Sequence, residues 1–234
     1  MKKLALILVL LLVFATPAAA QGSVALTFDD GPSKVTTQIM AALEDVDGRG
    51  TFFVLGNRCA DYPKILRRMV RRGHEIGGHS WGHARLTGLG SAALAQDIAR
   101  TTQAIEQHSG HAPTLLRPPF GAINQQLRNQ ADVPIIHWSV DTHDWQFCDQ
   151  LCPRRDASQC AREVDKLVND VLENLQDGDI ILMHDIFDFT QQAALRLIEK
   201  LHEGGWQMVT VSELFAQRGI TLQPGEVYYH ARTV

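Results

Sequence analysis

Two adjacent carboxylates and two imidazoles four residues apart are the residues best placed to do chemistry. His79 and His83, in His79-Ser80-Trp81-Gly82-His83, are spaced so that a helical turn or tight loop can point both at one ion. Asp29 and Asp30 supply the complementary parts: one carboxylate can complete a His/His/Asp metal site while its neighbour takes a proton from activated water. Farther along, Arg117 and His184 add polar groups at further strand ends, and hydrolysis needs both a base and an acid. Each signal alone has a plainer structural reading. Asp-Asp-Gly-Pro is good turn chemistry, a chain with ten histidines contains such a pair by chance, and an arginine at a strand end makes ordinary salt bridges. The chemical reading requires elements that bring all of these residues to one place.

Those elements alternate along the chain. The apolar run 24–28 predicts a strand, ended by Asp29-Asp30-Gly31-Pro32, with Ser33 capping a helix to about residue 43. Further strands are predicted over 51–55, 74–76, 114–116, 135–140, 180–183 and 208–211. Helical periodicity marks 62–72, 91–108, 125–129, 164–175 and 193–202, and the last ten residues read as a tail. Gly77 and Gly78 read as a loop built for close approach. Seven strand-helix repeats predict a parallel α/β fold, either an open doubly wound sheet or a closed barrel. Asp29, Asp30, His79, His83, Arg117, Asp141, Asp144 and His184 all fall at or after the carboxyl ends of predicted strands. A closed barrel gathers such ends at one mouth, whereas an open sheet spreads them along an edge.

Five segments, in order, carry a resemblance: Thr27-Phe28-Asp29-Asp30-Gly31-Pro32, His79-Ser80-Trp81-Gly82-His83, Arg117-Pro118-Pro119-Phe120-Gly121, Asp141-Thr142-His143-Asp144-Trp145 and Leu182-Met183-His184. Together they resemble the motifs of the polysaccharide deacetylases, the NodB-homology or carbohydrate esterase family 4 enzymes. The resemblance implies an α/β fold of the distorted (β/α) barrel type with seven or eight parallel strands. It also implies one divalent metal ion, zinc, and removal of acetyl groups from N-acetylated sugars. Asp30, His79 and His83 would hold the metal, and Asp29 would be the base, positioned by Arg117. His184 would be the acid, supported by Asp144, with Asp141 the other candidate for that support. Pro119, Phe120, Trp145 and Leu182 would contact substrate, the Phe120 backbone amide facing the developing oxyanion. Relatives more often carry tyrosine at position 120, so a phenolic hydroxyl is missing here.

Composition is consistent with an exported globular enzyme or binding protein. The 234 residues are 45% hydrophobic and 21% charged, with a formal net charge of −4 and no basic run, which argues against nucleic-acid binding. Lys2 and Lys3, an apolar run over 4–14 and Ala18-Ala19-Ala20 predict a signal peptide over 1–20, cleaved before Gln21. The mature chain, 21–234, is expected to be a single NodB-homology domain, periplasmic or secreted, with no stable membrane insertion after cleavage. Nothing in the sequence specifies an oligomeric state. In an exported chain the four cysteines predict two disulfides, one from Cys59 into the segment bearing Cys148, Cys152 and Cys160 and one within that segment.

The expected substrate is an acetylated glycan, chitin oligosaccharides or peptidoglycan. Three rivals are an O-acetyl (xylan-type) esterase, an inactive carbohydrate-binding protein on the same fold, and an iron(II) oxygenase using a His/His/carboxylate triad. The last leaves Asp29 and His184 unexplained.

Overall fold

The computed structural model of the chain describes residues 21–147 and 157–232. The element order is β1 (Gly22–Asp29), α1 (Thr36–Asp45), β2 (Thr51–Val54), α2 (Pro63–Arg71), β3 (Glu75–Gly78), α3 (Ser91–Ser109), β4 (Leu115–Leu116), α4 (Gln125–Gln130), β5 (Ile135–Ile136), β6 (Val140–Asp141), α5 (Ala157–Asn174), β7 (Ile180–His184), α6 (Asp188–Glu203), β8 (Trp206–Met208), α7 (Val211–Ala216) and β9 (Val227–Tyr228). The strands form one sheet in which every pairing is parallel, in the spatial order β6-β7-β1-β2-β3-β4-β5-β9. β8 lies beside the amino end of β1, where Gly22–Val24 pair with Trp206–Met208. Among the described residues no pairing joins β6 to β9, so the curled sheet is an incomplete barrel, with eight strands along its main path.

Strand periodicity sorts side chains between the two faces of this curl. Val24, Leu26 and Phe28 of β1, Phe52 and Val54 of β2, and Ile181 and Met183 of β7 pack outward against helices, among them Ile39, Met40 and Leu43 of α1 and Leu197, Ile198 and Leu201 of α6. Ala25, Phe53, Leu115, Ile136 and Ile180 point inward, where Val211, Leu214 and Phe215 of α7 close the barrel from below. α7 is fixed beneath β2 and β3: Val211 N–H donates to Thr51 Oγ1 at 2.9 Å and Ser212 N–H to Glu75 Oε2 at 3.1 Å. Its own start carries a reciprocal cap between Thr210 and Glu213.

The same parity that turns Ala25 inward turns Thr27 and Asp29 inward, and that of Ile180 turns Leu182 and His184 inward. Register finishes the alignment, since Asp29 lies directly beside His184 on one flank and beside Phe53 on the other, and Phe53 lies beside Gly77. The polar residues at strand ends therefore meet at the carboxyl mouth, above an apolar plug.

Four local expectations are corrected. The segment 135–140 is not one strand but two, β5 and β6, which join opposite ends of the sheet. Gly77 and Gly78 belong to β3 rather than to a loop; a Cβ on Gly77 would come within 2.4 Å of the Phe53 ring, so close approach is the reason for glycine there, but inside a strand. Ser33 does not cap α1, because the helix starts at Thr36 with Val35 in the cap position; the Ser33 hydroxyl accepts from the Val35 N–H at 3.2 Å, ahead of the helix, and donates to the Asp185 carbonyl. The expected tail contains β9, which pairs with β5.

The disulfide pattern also changes. Cys59 is a buried free thiol, its Sγ 3.5 Å from the Leu55 carbonyl oxygen, and burial pushes its pKa up to about 12. Cys148 and Cys152 lie outside the described residues.

Candidate active site

Asp29 ends β1 and is held from beneath. The Arg117 guanidinium is fully buried and donates through Nη1 to Asp29 Oδ1 at 2.9 Å and to Thr27 Oγ1 at 2.7 Å. Its Nε and Nη2 reach the carbonyls of Ile136 and His137 at 3.1 and 2.8 Å, and its Cζ lies over the Phe53 ring, 4.1 Å from the centroid. A buried charge is tolerated only when its donors are used and its charge is opposed, and both conditions hold here.

Asp30, His79 and His83 converge beside Asp29. One potential ligand atom from each lies within 4.8 Å of the others. Asp30 Oδ1 is 3.4 Å from both His79 Nε2 and His83 Nε2, and it is buried with no hydrogen-bond partner. His79 Nδ1 is 2.7 Å from the Arg117 carbonyl, which can only accept, so a proton belongs on Nδ1, and Nε2, facing Asp30, is the nitrogen left to take a cation or a second proton. Two imidazole lone pairs and an orphaned carboxylate oxygen form a donor set that fits a divalent cation. Burial opposes ionisation of Asp30, yet His79, His83 and His184 together hold its carboxyl down at about 2. Asp30 and His83 both adopt left-handed backbone, φ 73° and 64°, a conformation that surrounding contacts must impose on residues other than glycine.

His184 ends β7 and faces these groups with a partner of its own. Its Nδ1 is 2.8 Å from Asp144 Oδ1, and its backbone N–H donates to Asp144 Oδ2 at 2.8 Å. The Thr190 hydroxyl adds a third bond, to Asp144 Oδ2 at 2.6 Å. Burial alone lowers the pKa of an imidazole; here Asp144, with Asp29 and Asp30 farther off, raises that of His184 to about 9. Asp141 pairs elsewhere, accepting from the His143 backbone N–H at 2.8 Å, so of the two candidates it is Asp144 that supports His184.

Both groups of residues open into one cavity of about 460 Å³, lined by Asp29, Asp30, His79, His83, Phe120, Trp138, Asp141, Trp145, Leu182, His184 and Phe187. Residues 17–133 match the family model described as polysaccharide deacetylase. The chain belongs to the polysaccharide deacetylase family. It is 42% identical over 195 residues to the peptidoglycan-N-acetylmuramic acid deacetylase PdaC of Bacillus subtilis (strain 168), covering 83% of this chain and 39% of that one. The chain spans 39% to 41% of the length of this and similar curated relatives. Among solved structures, it resembles a T48 deacetylase determined with substrate, with a TM-score of 0.78 and 38% identity, covering 88% of this chain and 96% of that one. A family 4 acetyl xylan esterase from Clostridium thermocellum, determined with a cobalt ion, matches with a TM-score of 0.78 and 30% identity, covering 90% and 99%. The polysaccharide deacetylase match ends before Asp144 and His184, whose placement rests on the geometry above.

Of the predicted substrate contacts, Phe120, Trp145 and Leu182 line the cavity, whereas Pro119 is buried and is not among the lining residues. Phe120 has φ 63° and packs edge-on against His83 at 4.6 Å, with Arg85 above its ring.

Sequence reasoning missed several neighbours. Thr27 and Thr190 orient charged partners with a single hydroxyl each, and Trp138 and Phe187 complete the cavity wall. Asp185 is the largest omission. It is fully buried, its N–H donates to the Asp29 carbonyl at 3.2 Å, and the Thr36 hydroxyl donates to its Oδ2. Burial, with Asp30 and Asp29 nearby, pushes its pKa up to about 7. A Cβ on Gly31 would lie 2.4 Å from both of its carboxylate oxygens, so only glycine allows the Asp29-Asp30 turn to sit against it. The available signal was its position, immediately after His184 at a strand end.

Proposed function

We propose that this protein is an exported, metal-dependent polysaccharide deacetylase that hydrolyses N-acetyl groups of N-acetylglucosamine-containing glycans. One observation carries the reading: two oppositely wired histidine-carboxylate pairs face each other across a single cavity, with an arginine-held carboxylate between them. The names of relatives agree, since they include peptidoglycan deacetylases and a chitooligosaccharide deacetylase of Sinorhizobium fredii.

Asp30, His79 and His83 would hold the metal, zinc in this proposal, which when bound supplies Lewis-acid polarisation of the acetyl carbonyl and acidifies the attacking water. Asp29, kept ionised by Arg117, takes the proton of that water as its oxygen adds to the acetyl carbon. The Phe120 backbone N–H supports charge developing on the former carbonyl oxygen. His184, protonated through Asp144, gives its proton to the sugar nitrogen as the carbon-nitrogen bond breaks, releasing acetate and a free amine. Trp145 and Leu182 enclose the acetyl methyl group.

Residues 1–20 act as the signal peptide in this proposal, and β1 begins at Gly22, just past the expected cleavage point. One sheet spans strands from Gly22 to Tyr228, which supports a single domain over 21–234. Cys59 is a free thiol and Cys160 is disulfide-bonded. Among the described residues no helix is long and apolar enough to cross a membrane.

The deciding measurement is acetate release from N-acetylglucosamine oligomers and from peptidoglycan, as isolated, after chelation and after zinc is restored. Release that stops and returns supports the proposal. No release from either substrate by zinc-loaded protein, with release from acetylated xylan, would replace it with the esterase reading.

A further inference from the structure

Asp185 is a fully buried carboxylate that the proposed reaction leaves unused. It directly follows His184, and the segment from Asp29 to Thr36 is fastened to it at successive points. Its N–H donates to the Asp29 carbonyl at 3.2 Å, its carbonyl accepts from the Ser33 hydroxyl at 2.5 Å, and its Oδ2 accepts from the Thr36 hydroxyl. Both carboxylate oxygens lie against Gly31, where a Cβ would come within 2.4 Å of each. The Thr36 hydroxyl accepts in turn from the Ser33 N–H at 2.8 Å, so the carboxylate, the turn and the start of α1 form one unit.

The fastened segment contains Asp29 and Asp30, and its shape is not one that its own backbone prefers. Asp30 has φ 73°, and a residue other than glycine keeps that conformation only when its surroundings impose it. Asp185 acts on both sides of Asp30, through its N–H on the Asp29 carbonyl before it and through its carboxylate on Gly31 after it. On the other flank the Leu55 N–H donates to the Gly31 carbonyl at 2.9 Å. Burying a carboxylate is costly, and among the described residues Asp185 Oδ1 has no hydrogen-bond partner. An apolar side chain would fill the space without that cost, as Ile181 and Met183 do at the same parity on β7. What the carboxylate adds is an acceptor for Thr36 and a flat seat for Gly31.

We propose that Asp185 is a positioning residue: its carboxylate, seated between Gly31 and Thr36, fixes the Asp29-Asp30 turn so that Asp30 meets His79 and His83 in a geometry ready for a cation. The inference rests on the metal-dependent deacetylase reading and adds to it a residue outside both the ligand group and the cavity lining.

The test measures the zinc affinity of the purified protein by competition with a chromophoric chelator, alongside thermal unfolding of the zinc-free form and acetate release from N-acetylglucosamine oligomers. Asp185→Ala should weaken zinc binding about 10- to 100-fold, the usual scale for removing a group that orients a ligand, whereas Asp185→Asn, which keeps the shape and the acceptor for Thr36, should stay within about threefold of wild type. Gly31→Ala should weaken zinc binding in the wild-type background and add little to Asp185→Ala, because the new methyl group then has room. Where Asp185→Ala does not fold, Thr36→Val puts the same question by deleting one donor, with an expected loss of about fivefold.

Wild-type zinc affinity in folded Asp185→Ala, or in Thr36→Val where that variant stands in, overturns the proposal; lowered thermal stability alone marks a structural residue. Equal losses in Asp185→Asn and Asp185→Ala overturn it too, because charge rather than placement would then be in control. So do additive losses for Gly31→Ala and Asp185→Ala. Zinc affinities that follow the expected order, without acetate release by wild type, sink the deacetylase reading and leave the positioning role standing. A wild type that binds no zinc removes both.

Discussion

His79 and His184 are both buried imidazoles beside carboxylates, and they are wired in opposite senses. His79 gives its Nδ1 proton to a neutral carbonyl, that of Arg117, and points Nε2 at Asp30 and Asp29, 3.4 and 3.7 Å away. His184 gives its Nδ1 proton to a carboxylate, that of Asp144. A carbonyl fixes a tautomer without adding charge, whereas a carboxylate stabilises the imidazolium itself. His79 also has a raised pKa, against the effect of burial, but Asp29 and Asp30 on its Nε2 side cause most of that rise, where a cation would take the proton's place. The partner on the far nitrogen thus decides which imidazole offers a lone pair and which offers a proton.

The strongest way to break this comparison is to neutralise the carboxylate between the two histidines. Asp29→Asn should lower kcat by about 10³-fold, within the range for losing a general base, while zinc content, read by mass spectrometry, stays near one per chain. Loss of zinc along with activity would mean that Asp29 belongs to the ligand group. Circular dichroism must accompany the assay, because the variant leaves Arg117 buried opposite a neutral amide.

A smaller effect sharpens the other half. An acid must be protonated to act, so activity should fall as pH rises through the His184 pKa of about 9, or somewhat below it when a cation offsets Asp30. Asp144→Asn removes the chief cause of the raised value. It should lower kcat about 10²-fold and move the alkaline limb of the pH–rate profile down by about one to two pH units. An unmoved limb would assign that limb to another group.

The residues proposed to react are legible in the sequence because a parallel α/β sheet delivers strand ends to one mouth, and Asp29, Asp30, His79, Arg117 and His184 all mark such ends. Their partners are harder to read. Choosing Asp144 over Asp141 needs the turn after β6, which no period encodes, and the contribution of Thr190 depends on where α6 begins, five residues before the predicted start. β9 is invisible to periodicity because two residues after a glycine-glutamate turn carry no alternation to detect. Counting cysteines predicts a bridge at Cys59, and counting cannot see that this thiol sits within the apolar core.

The finest adjustment to the comparison is Thr190→Val. Its hydroxyl is one of three donors to Asp144 from His184 and Thr190, so the carboxylate stays paired without it. Stability should fall by about 1 kcal/mol, measured by denaturant unfolding, with kcat reduced about threefold. A loss as large as that of Asp144→Asn would show that this hydroxyl, rather than the charge, sets the orientation of His184.

The pairing of β9 with β5 means that a sheet edge is covered only once residues near the end of the sequence are present. A chain stopped short of residue 226 would expose a bare strand edge, with the Ile135 and His137 amides deprived of the Glu226 and Tyr228 carbonyls. Such edges recruit other chains. A chain lacking β9 should therefore aggregate more readily, even though every side chain proposed to react lies before it.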